Sequence, residues 1–285
     1  MHSDLKKKTA RLSVISNTIL IIMKLTVGII TNSVSILSEA IHSSLDLVAA
    51  IIAFFSVRIS GIPADKEHPF GHGKAENVSG VIEALLIFVA SAWIIAEAVK
   101  KIVNPGEAVS LGLGSVVMLI SAVINGFVSH RLYKVAKKTN SVALEADALH
   151  LRTDVFTSFG VAVGLLLISV TGIHMLDPII AIMVACFILY ESFKLLRKAF
   201  NPLLDTSLSD EEIEKVEAIL ASMNVRYHDL RTRAAGQQRF IEFHLDAHPE
   251  ETIEKIHRQC DAIEERLSEE FQDLSVVIHP EPDNQ

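Results

Sequence analysis

Apolar residues dominate the first two thirds of the chain and recur in runs long enough to cross a lipid bilayer. A membrane helix needs about 20 mostly apolar residues, and several stretches between residues 12 and 200 meet that requirement. The predicted spans are 12–31, 34–60, 79–101, 109–132, 143–171 and 178–200. Turn-forming sequences separate them, as at Asn104-Pro105-Gly106 after the third run. The pattern therefore predicts a six-helix transmembrane domain over residues 1–205.

Lysine and arginine collect at one set of span ends, which orients the predicted helices. The side that holds both chain ends carries basic clusters at 6–11, 131–138 and 194–198, whereas the opposite side has only Lys100 and Lys101. Short loops rich in Lys and Arg stay on the cytoplasmic side of the bilayer. We therefore expect a multi-pass protein of the cell inner membrane with both termini cytoplasmic.

Charged residues replace the apolar runs after Pro202, and residues 206–285 have the pattern of a small α+β domain. A capping box, Ser209 with Glu212, predicts the start of a helix. The predicted order is helix 209–223, strands 226–234 and 239–246, helix 252–270 and strand 274–279. Three strands leave an open sheet edge, which could pair with a second copy of the chain.

The net charge of −8 is unevenly distributed along the chain. Residues 1–205 have a net charge of +3, whereas the tail holds 8 Lys and Arg against 19 Asp and Glu, a net of −11. An acidic tail argues against a nucleic-acid partner. It is compatible with attraction of cations, although a solvated acidic surface is the simpler explanation. Cys186 and Cys260 have no CxxC neighbour, so no thiolate metal site is predicted.

Two predicted spans repeat one arrangement of ionisable residues, an acidic residue, a His and an Asp at spacing i, i+3, i+7: Glu39, His42 and Asp46 in the second, and Asp147, His150 and Asp154 in the fifth. Ionisable groups are costly in lipid, so each is a functional candidate. The spacing places each set on one helical face. The two His-x-x-x-Asp pairs offer two imidazoles and two carboxylates, a set that suits tetrahedral zinc. The alternative is polar bonding between helices.

The two extra carboxylates, Glu39 and Asp147, each precede their His by three residues. With the predicted orientation, Glu39 lies on the external side of the four-residue set and Asp147 on its cytoplasmic side. One hypothesis is that Asp147 guides metal in and Glu39 guides it out. The alternative is that both are solvated residues at the mouths of a water-filled cavity.

Two polar regions outside the spans also carry candidate metal ligands. In the 61–77 loop, Asp65, His68 and His72 have spacing within reach of one ion, but a solvated loop with incidental histidines fits the spacing equally well. The tail holds five of the twelve histidines: His228, His244, His248, His257 and His279. His244 and Asp246 share the strand face opposite the apolar one, so a tail metal site is plausible although spacing does not choose its histidines.

Four segments together resemble a known family, the cation diffusion facilitators, and within it the bacterial zinc and iron efflux proteins. They are Ser-Glu-Ala-Ile-His-Ser-Ser-Leu-Asp at 38–46, His-Pro-Phe-Gly-His-Gly-Lys-Ala-Glu at 68–76, His150 with Asp154, and His-Asp-Leu-Arg-Thr-Arg at 228–233. The likeness covers nearly the whole chain. It implies a homodimer and a ferredoxin-like cytoplasmic metal-binding and dimerisation domain at residues 206–285.

The resemblance also implies three metal sites. The implied transport site consists of His42, Asp46, His150 and Asp154. A second site is implied at Asp65, His68 and His72. A binuclear tail site is implied at His228, His244, His257 and His279, with Glu281 where the family usually has Asp. Some bacterial members carry Asp at the position of His42, and His there resembles the zinc-preferring members, so zinc is expected ahead of cadmium, iron and manganese.

These observations favour export of a divalent metal by alternating access, in exchange for protons. Histidine can carry either a metal or a proton near neutral pH, so one site can exchange the two. One alternative is a membrane metalloenzyme, although the chain has no His-Glu-x-x-His motif. Another is a metal-gated sensor or scaffold that uses the tail domain without net metal flux.

Overall fold

The computed structural model describes residues 2–31, 34–103, 113–171, 175–271 and 273–283. Within its helices the described side chains exclude 2–3, 31, 34–39, 41–42, 45, 101, 113–115, 118, 158, 160–171 and 176–177. The chain divides into two compact units, residues 1–200 and residues 201–285. The division lies five residues before the domain boundary predicted from the sequence at 205.

Long helices form the first unit: α1 His2–Thr31, α2 Val34–Ser60, α3 Ala75–Val103, α4 Leu113–Thr139, α5 Val142–Thr171 and α6 Leu176–Phe200. Within the described residues, three segments are long and apolar enough to cross a membrane: Asp4–Ile30, Ala75–Lys100 and Pro178–Leu204. They belong to α1, α3 and α6. Membrane crossing by α2, α4 and α5 stays a prediction.

Two helices extend well beyond the predicted apolar spans. Helix α1 begins at His2 rather than at residue 12, and α4 continues to Thr139 rather than ending at 132. Both extensions are basic, and Lys137 and Lys138 lie in the last turn of α4. Positive charge at a helix C-terminus interacts favourably with the helix dipole, so the last turns of α4 are stabilised beyond its apolar segment.

The helices of the first unit pack in pairs, α1 along α2, α4 along α5 and α3 along α6. Gly80 of α3 marks a particularly close approach. A Cβ atom at this position would lie 2.7 Å from Val142 Cγ1 and 3.0 Å from the Ala199 Cβ atom. The missing side chain of Gly80 therefore allows α3 to approach α5 and α6 together.

A buried carboxylate joins the ends of four helices. Glu76, in the first turn of α3, accepts hydrogen bonds from Lys6 Nζ of α1 at 2.5 Å and from Ser60 Oγ at the end of α2 at 2.7 Å. Ser141, immediately before α5, donates to its other oxygen. Lys6 and Glu76 are both buried, so each charge depends on the other.

The second unit has the element order predicted from the sequence. After a 3₁₀ turn at Asn201–Leu204 it contains α7 Asp210–Ser222, β1 Tyr227–Ala235, β2 Gln238–Ala247, α8 Ile253–Glu270 and β3 Leu274–Pro282. The predicted capping box at Ser209 and Glu212 is confirmed. The sheet order is β1-β2-β3, with β1 and β2 antiparallel and β2 and β3 parallel.

The two faces of this sheet differ in character, as the alternating side chains of the central strand β2 show. Ile241, Phe243 and Leu245 are buried in one core with residues of α7 and α8, including Leu220 and Ile263. The alternating residues of β2 point to the opposite face, because side chains alternate along a strand. That second face carries His228, His244 and His279.

The close approach at Gly80 predicts a position-specific effect of a single methyl group. Gly80→Ala should lower the thermal unfolding midpoint of the detergent-solubilised protein, since overpacking costs about 1–3 kcal/mol. Gly126→Ala is the matched control, because its nearest contact would be Val155 Cγ2 at an ordinary 3.8 Å. Equal midpoints for the two variants would contradict the packing. The midpoint is obtained from the fraction of protein that remains monodisperse after heating to increasing temperatures.

Candidate metal centres

Helices α2 and α5 meet through two side chains of the predicted four-residue set. His150 Nε2 lies 3.0 Å from Asp46 Oδ1. The Asp46 side chain is 5% exposed and that of His150 is 13% exposed, so the contact is largely shielded from solvent. A carboxylate and an imidazole at this distance hold one another in place and present ligand atoms to a shared point.

The other two members of the set, Asp154 and His42, are described to different extents by the structure. Asp154 lies one turn beyond His150 on α5, and its Oδ2 accepts a hydrogen bond from Asn125 Nδ2 of α4 at 3.3 Å. His42 is in α2, one turn before Asp46, but its side chain lies outside the described residues. The structure thus brings Asp46 and His150 into contact, but the ligand atoms of Asp154 do not join theirs in a group within 4.8 Å among the described residues.

The second ring nitrogen of His150 is buried and has no hydrogen-bond partner among the described side chains. Buried polar atoms nearly always have a partner, so such an atom calls for an explanation. A metal ion is one group that such an imidazole nitrogen can bind.

Sequence reasoning missed Asn125 as a neighbour of this site. Its amide holds Asp154, and its Oδ1 is a buried atom without a partner in the described part of the chain. The available signal was a carboxamide in the middle of the fourth predicted span, since polar residues are costly there.

Asp147 has no exposed surface, and Ser13 Oγ of α1 donates to its Oδ1 at 3.1 Å. The alternative that Asp147 is a solvated residue at a cavity mouth is therefore wrong. The reason is that α1 packs against this turn of α5 and covers it. The hypothesis that Asp147 guides metal stays a prediction, and the side chain of Glu39 lies outside the described residues.

The loop between α2 and α3 brings its three candidate ligands together. Ligand atoms of Asp65, His68 and His72 all lie within 4.8 Å of one another. Asp65 Oδ1 is 3.4 Å from His68 Nδ1, and Asp65 Oδ2 is 3.5 Å from His72 Nε2. Gly71, at φ 77°, reverses the chain between the two histidines, a conformation that favours glycine.

Backbone hydrogen bonds prepare Asp65 to act as an anionic ligand. The N–H groups of His68 and Glu67 donate to Asp65 Oδ1 at 2.6 and 2.9 Å. The bond from His68 has the largest influence and lowers the pKa of the Asp65 carboxyl from its ordinary value. The carboxylate is therefore available to a cation near neutral pH without first losing a proton.

Strand register aligns three histidines across the tail sheet. His228 of β1 pairs with His244 of β2, which in turn pairs with His279 of β3. The ring centroids of neighbouring histidines in this row are 5.0 Å apart. The sheet face that was predicted to carry His244 thus also carries one histidine from each of the two neighbouring strands.

The Glu281 carboxylate contacts all three histidines of this row. Its Oε1 lies 3.2 Å from His244 Nδ1 and 3.5 Å from His279 Nε2, and its Oε2 lies 3.4 Å from His228 Nε2. The ligand atoms of His228, His244 and Glu281 lie within 4.8 Å of one another. Asp246 Oδ1, 2.9 Å from His228 Nδ1, adds a second carboxylate that the sequence had not assigned.

The structure does not bring His257 into this cluster within the described chain. It lies on α8, its side chain is 74% exposed, and its Nε2 is 3.8 Å from Asp261. Helix α8 packs on the apolar face of the sheet, opposite to the histidine row.

Comparison with known proteins gives matches over both units. Residues 10–204 match the family model described as the cation efflux transmembrane domain, and residues 208–283 match the cation efflux protein cytoplasmic domain. A Synechocystis sp. protein, Uncharacterized transporter sll1263, is 39% identical over 263 residues, 91% of this chain and 85% of that protein. The cation-efflux pump FieF of Yersinia enterocolitica is 32% identical over 283 residues, 99% of this chain and 94% of the pump. The FieF pump of Shewanella oneidensis is 31% identical over 279 residues, 97% of this chain and 94% of the pump.

The tail cluster predicts which histidine controls metal binding there. His244→Ala should lower the number of zinc ions bound by the purified full-length protein, because His244 is the central residue of the row and contacts Glu281. His248→Ala is the matched control, since it changes an exposed histidine of the same unit outside the cluster. Equilibrium dialysis followed by metal analysis gives the count. Equal counts for the two variants would rule out His244 as a ligand.

Proposed function

The chain belongs to the cation efflux family, and we propose that within this family it exports zinc from the cytoplasm in exchange for protons. Membership makes it a multi-pass membrane transporter of metal cations, with a helical transmembrane domain and a cytoplasmic domain that contains a small sheet. Members of this family move ions and are not enzymes. The identity of the metal, the exchange for protons and the residues that carry both are the proposal.

The contact between Asp46 and His150 supports the proposed transport site most directly. It joins two helices through a carboxylate and an imidazole, which are ligand types that zinc accepts. Asp154 and His42 complete the proposed set of four. Without a thiolate the site binds zinc less tightly than a structural zinc site does, and a transported ion must also be released.

Exchange for protons follows from the chemistry of the proposed ligands. Metal binding requires a neutral imidazole and ionised carboxylates, so an arriving ion displaces protons and a departing ion allows them to return. Histidine changes charge near physiological pH, which makes the reverse step accessible. Alternating access of the one site to the two sides of the membrane then couples an outward metal to inward protons.

Zinc is the proposed main substrate because histidines are present in all three candidate centres. Imidazole suits zinc better than it suits the harder ion manganese, which prefers oxygen ligands. Cadmium, iron and manganese remain further proposed substrates. The ions are cargo at the transport site, and at the loop and the tail they are proposed to bind as structural or regulatory ligands.

We further propose that the protein is a homodimer of the cell inner membrane, with six transmembrane helices and both termini cytoplasmic. A ferredoxin-like tail domain would pair with its copy, and the edges of β1 and β3 remain open in the described sheet. The tail's net charge of −11 favours cations over nucleic acid as partners. In this arrangement His257 is the ligand contributed to the tail site by the second copy.

The tail cluster also supports a second candidate function, a membrane metal sensor or scaffold. Glu281 and the histidine row could report metal concentration without any ion crossing the membrane. Metal flux separates the two functions, since a sensor binds metal at the tail but moves none.

Replacing the central imidazole should abolish transport while leaving the tail site intact. In proteoliposomes loaded with a pH dye, His150→Ala should reduce zinc flux and the coupled pH change to the level of empty vesicles. The reason is the loss of the residue that contacts Asp46. His130→Ala is the control, because His130 is exposed and belongs to no candidate centre. Wild-type flux in both His150→Ala and Asp46→Ala would exclude the proposed site.

The choice of metal should depend on His42. His42→Asp should narrow the preference for zinc over cadmium, because it replaces the imidazole from α2 with an oxygen ligand that discriminates less between them. Competition between the two ions in the same flux assay measures the ratio. His130→Asp introduces the same chemical change outside the site and should leave the ratio unchanged. An equal zinc-to-cadmium ratio in wild type and His42→Asp would remove His42 from the selectivity argument.

A further inference from the structure

Two carboxylates between the helices make no ion pair with a lysine or arginine among the described residues. Glu83 of α3 and Asp147 of α5 both have no exposed surface. Glu83 accepts one hydrogen bond, from Ser79 Oγ at 3.1 Å, and Asp147 accepts one from Ser13 Oγ at 3.1 Å. Glu83 Oε2 and Asp147 Oδ2 are buried and have no hydrogen-bond partner among the described residues.

The two side chains lie at the same level of the helix bundle. Ala84, next to Glu83, and Ala146, next to Asp147, belong to one buried cluster where α3 packs against α5. The two carboxylates interact electrostatically with each other and with His150. Asp147 precedes His150 by three residues, about 4.5 Å along the helix axis. The pair therefore lies close to the proposed transport site.

Neither carboxylate is part of that site. The hydrogen bonds of Glu83 and Asp147 go to Ser79 and Ser13, and neither residue makes a hydrogen bond or ion pair with Asp46, His150 or Asp154 in the described structure. This separates them from Asp46, whose oxygen touches the imidazole directly.

The groups that face the pair do not neutralise two negative charges. Helix α5 contributes His150, α2 contributes Asp46, which adds a further negative charge, and α1 contributes the Ser13 hydroxyl. Helix α6 contributes Ser192, whose hydroxyl donates to the backbone carbonyl of Ala84. No lysine or arginine is paired with either carboxylate in the described part of the chain.

Two ionised carboxylates in one buried site are strongly disfavoured, both by the loss of solvation and by their mutual repulsion. The usual resolution is that one of them keeps a proton. A doubly charged metal nearby reverses this preference, because its field stabilises the second negative charge.

We propose that Glu83 and Asp147 form a proton-carrying pair, separate from the metal ligands, that releases its shared proton when zinc occupies the transport site. The carboxylic O–H bond breaks, the proton passes to water, and the pair becomes a dianion balanced by the metal. When the metal leaves, the pair takes a proton back. This inference rests on the proposed zinc/proton exchange and assigns part of the proton load to residues that never touch the metal.

The test counts the protons released when zinc binds to the full-length protein in detergent. Calorimetric titrations in buffers of different ionisation enthalpy give that number without any transport assay. Glu83→Gln should release about one proton fewer than wild type, because the remaining carboxylate is then ionised with and without metal. Asp147→Asn should give the same decrease.

A shared proton also predicts how many protons the double variant should release. Glu83→Gln combined with Asp147→Asn should again release about one proton fewer, not two, since the pair holds a single proton. The matched control is Glu97→Gln, an exposed carboxylate on the same helix as Glu83, which should release the wild-type number. If one of the two single variants folds poorly, the other still tests the proposal.

The outcomes distinguish this inference from the function on which it rests. Wild-type proton release in both Glu83→Gln and Asp147→Asn would overturn the proton-carrying pair and leave zinc export untouched. A decrease of two in the double variant would overturn the sharing. Absence of zinc flux in wild-type vesicles would instead overturn the proposed function.

Discussion

Lipid offers no partner to a charged side chain, so each ionisable group between the helices must be balanced within the protein or remain neutral. The structure meets this constraint in three ways. Glu76 is balanced by Lys6 and by two serine hydroxyls, and Asp46 is balanced by an imidazole that can itself gain or lose a proton. In the described part of the chain, Glu83 and Asp147 accept hydrogen bonds from serine hydroxyls only. The partner of each carboxylate therefore determines its role. A carboxylate paired with lysine keeps a fixed structural charge, whereas one paired with an imidazole or a hydroxyl can change its charge during exchange.

The helices of the first unit could be placed from the sequence because long apolar runs are a direct signature of burial in lipid or protein. Their ends could not, since α1 and α4 continue through basic turns that resemble loops in composition. The repeated His-x-x-x-Asp pattern identified Asp46 and His150, which do meet. It could not identify Asn125 or Ser13 as neighbours, because contacts between helices depend on how each is rotated about its axis.

The tail shows a similar division between local and long-range information. The capping box at Ser209 and the alternating pattern of β2 are local, and both are found in the structure. The alignment of His228, His244 and His279 depends on one antiparallel and one parallel register. No spacing within a single strand encodes that alignment, so the sequence could propose a metal site without choosing its members. Asp246 was visible on the correct face, but its contact with His228 required the pairing of β1 with β2.

The close approach at Gly80 restricts how this domain can deform. With Val142 on one side and Ala199 on the other, α3 has no free space at this level in which to slide against α5 or α6. A packed contact of this kind resists translation more than it resists a small rotation about the point of contact, because rotation leaves the interatomic distances there nearly unchanged. We therefore expect Gly80 to act as a pivot between these helices. Rearrangements of these three helices can be large only at a distance from it, with amplitudes that grow along the helix axes.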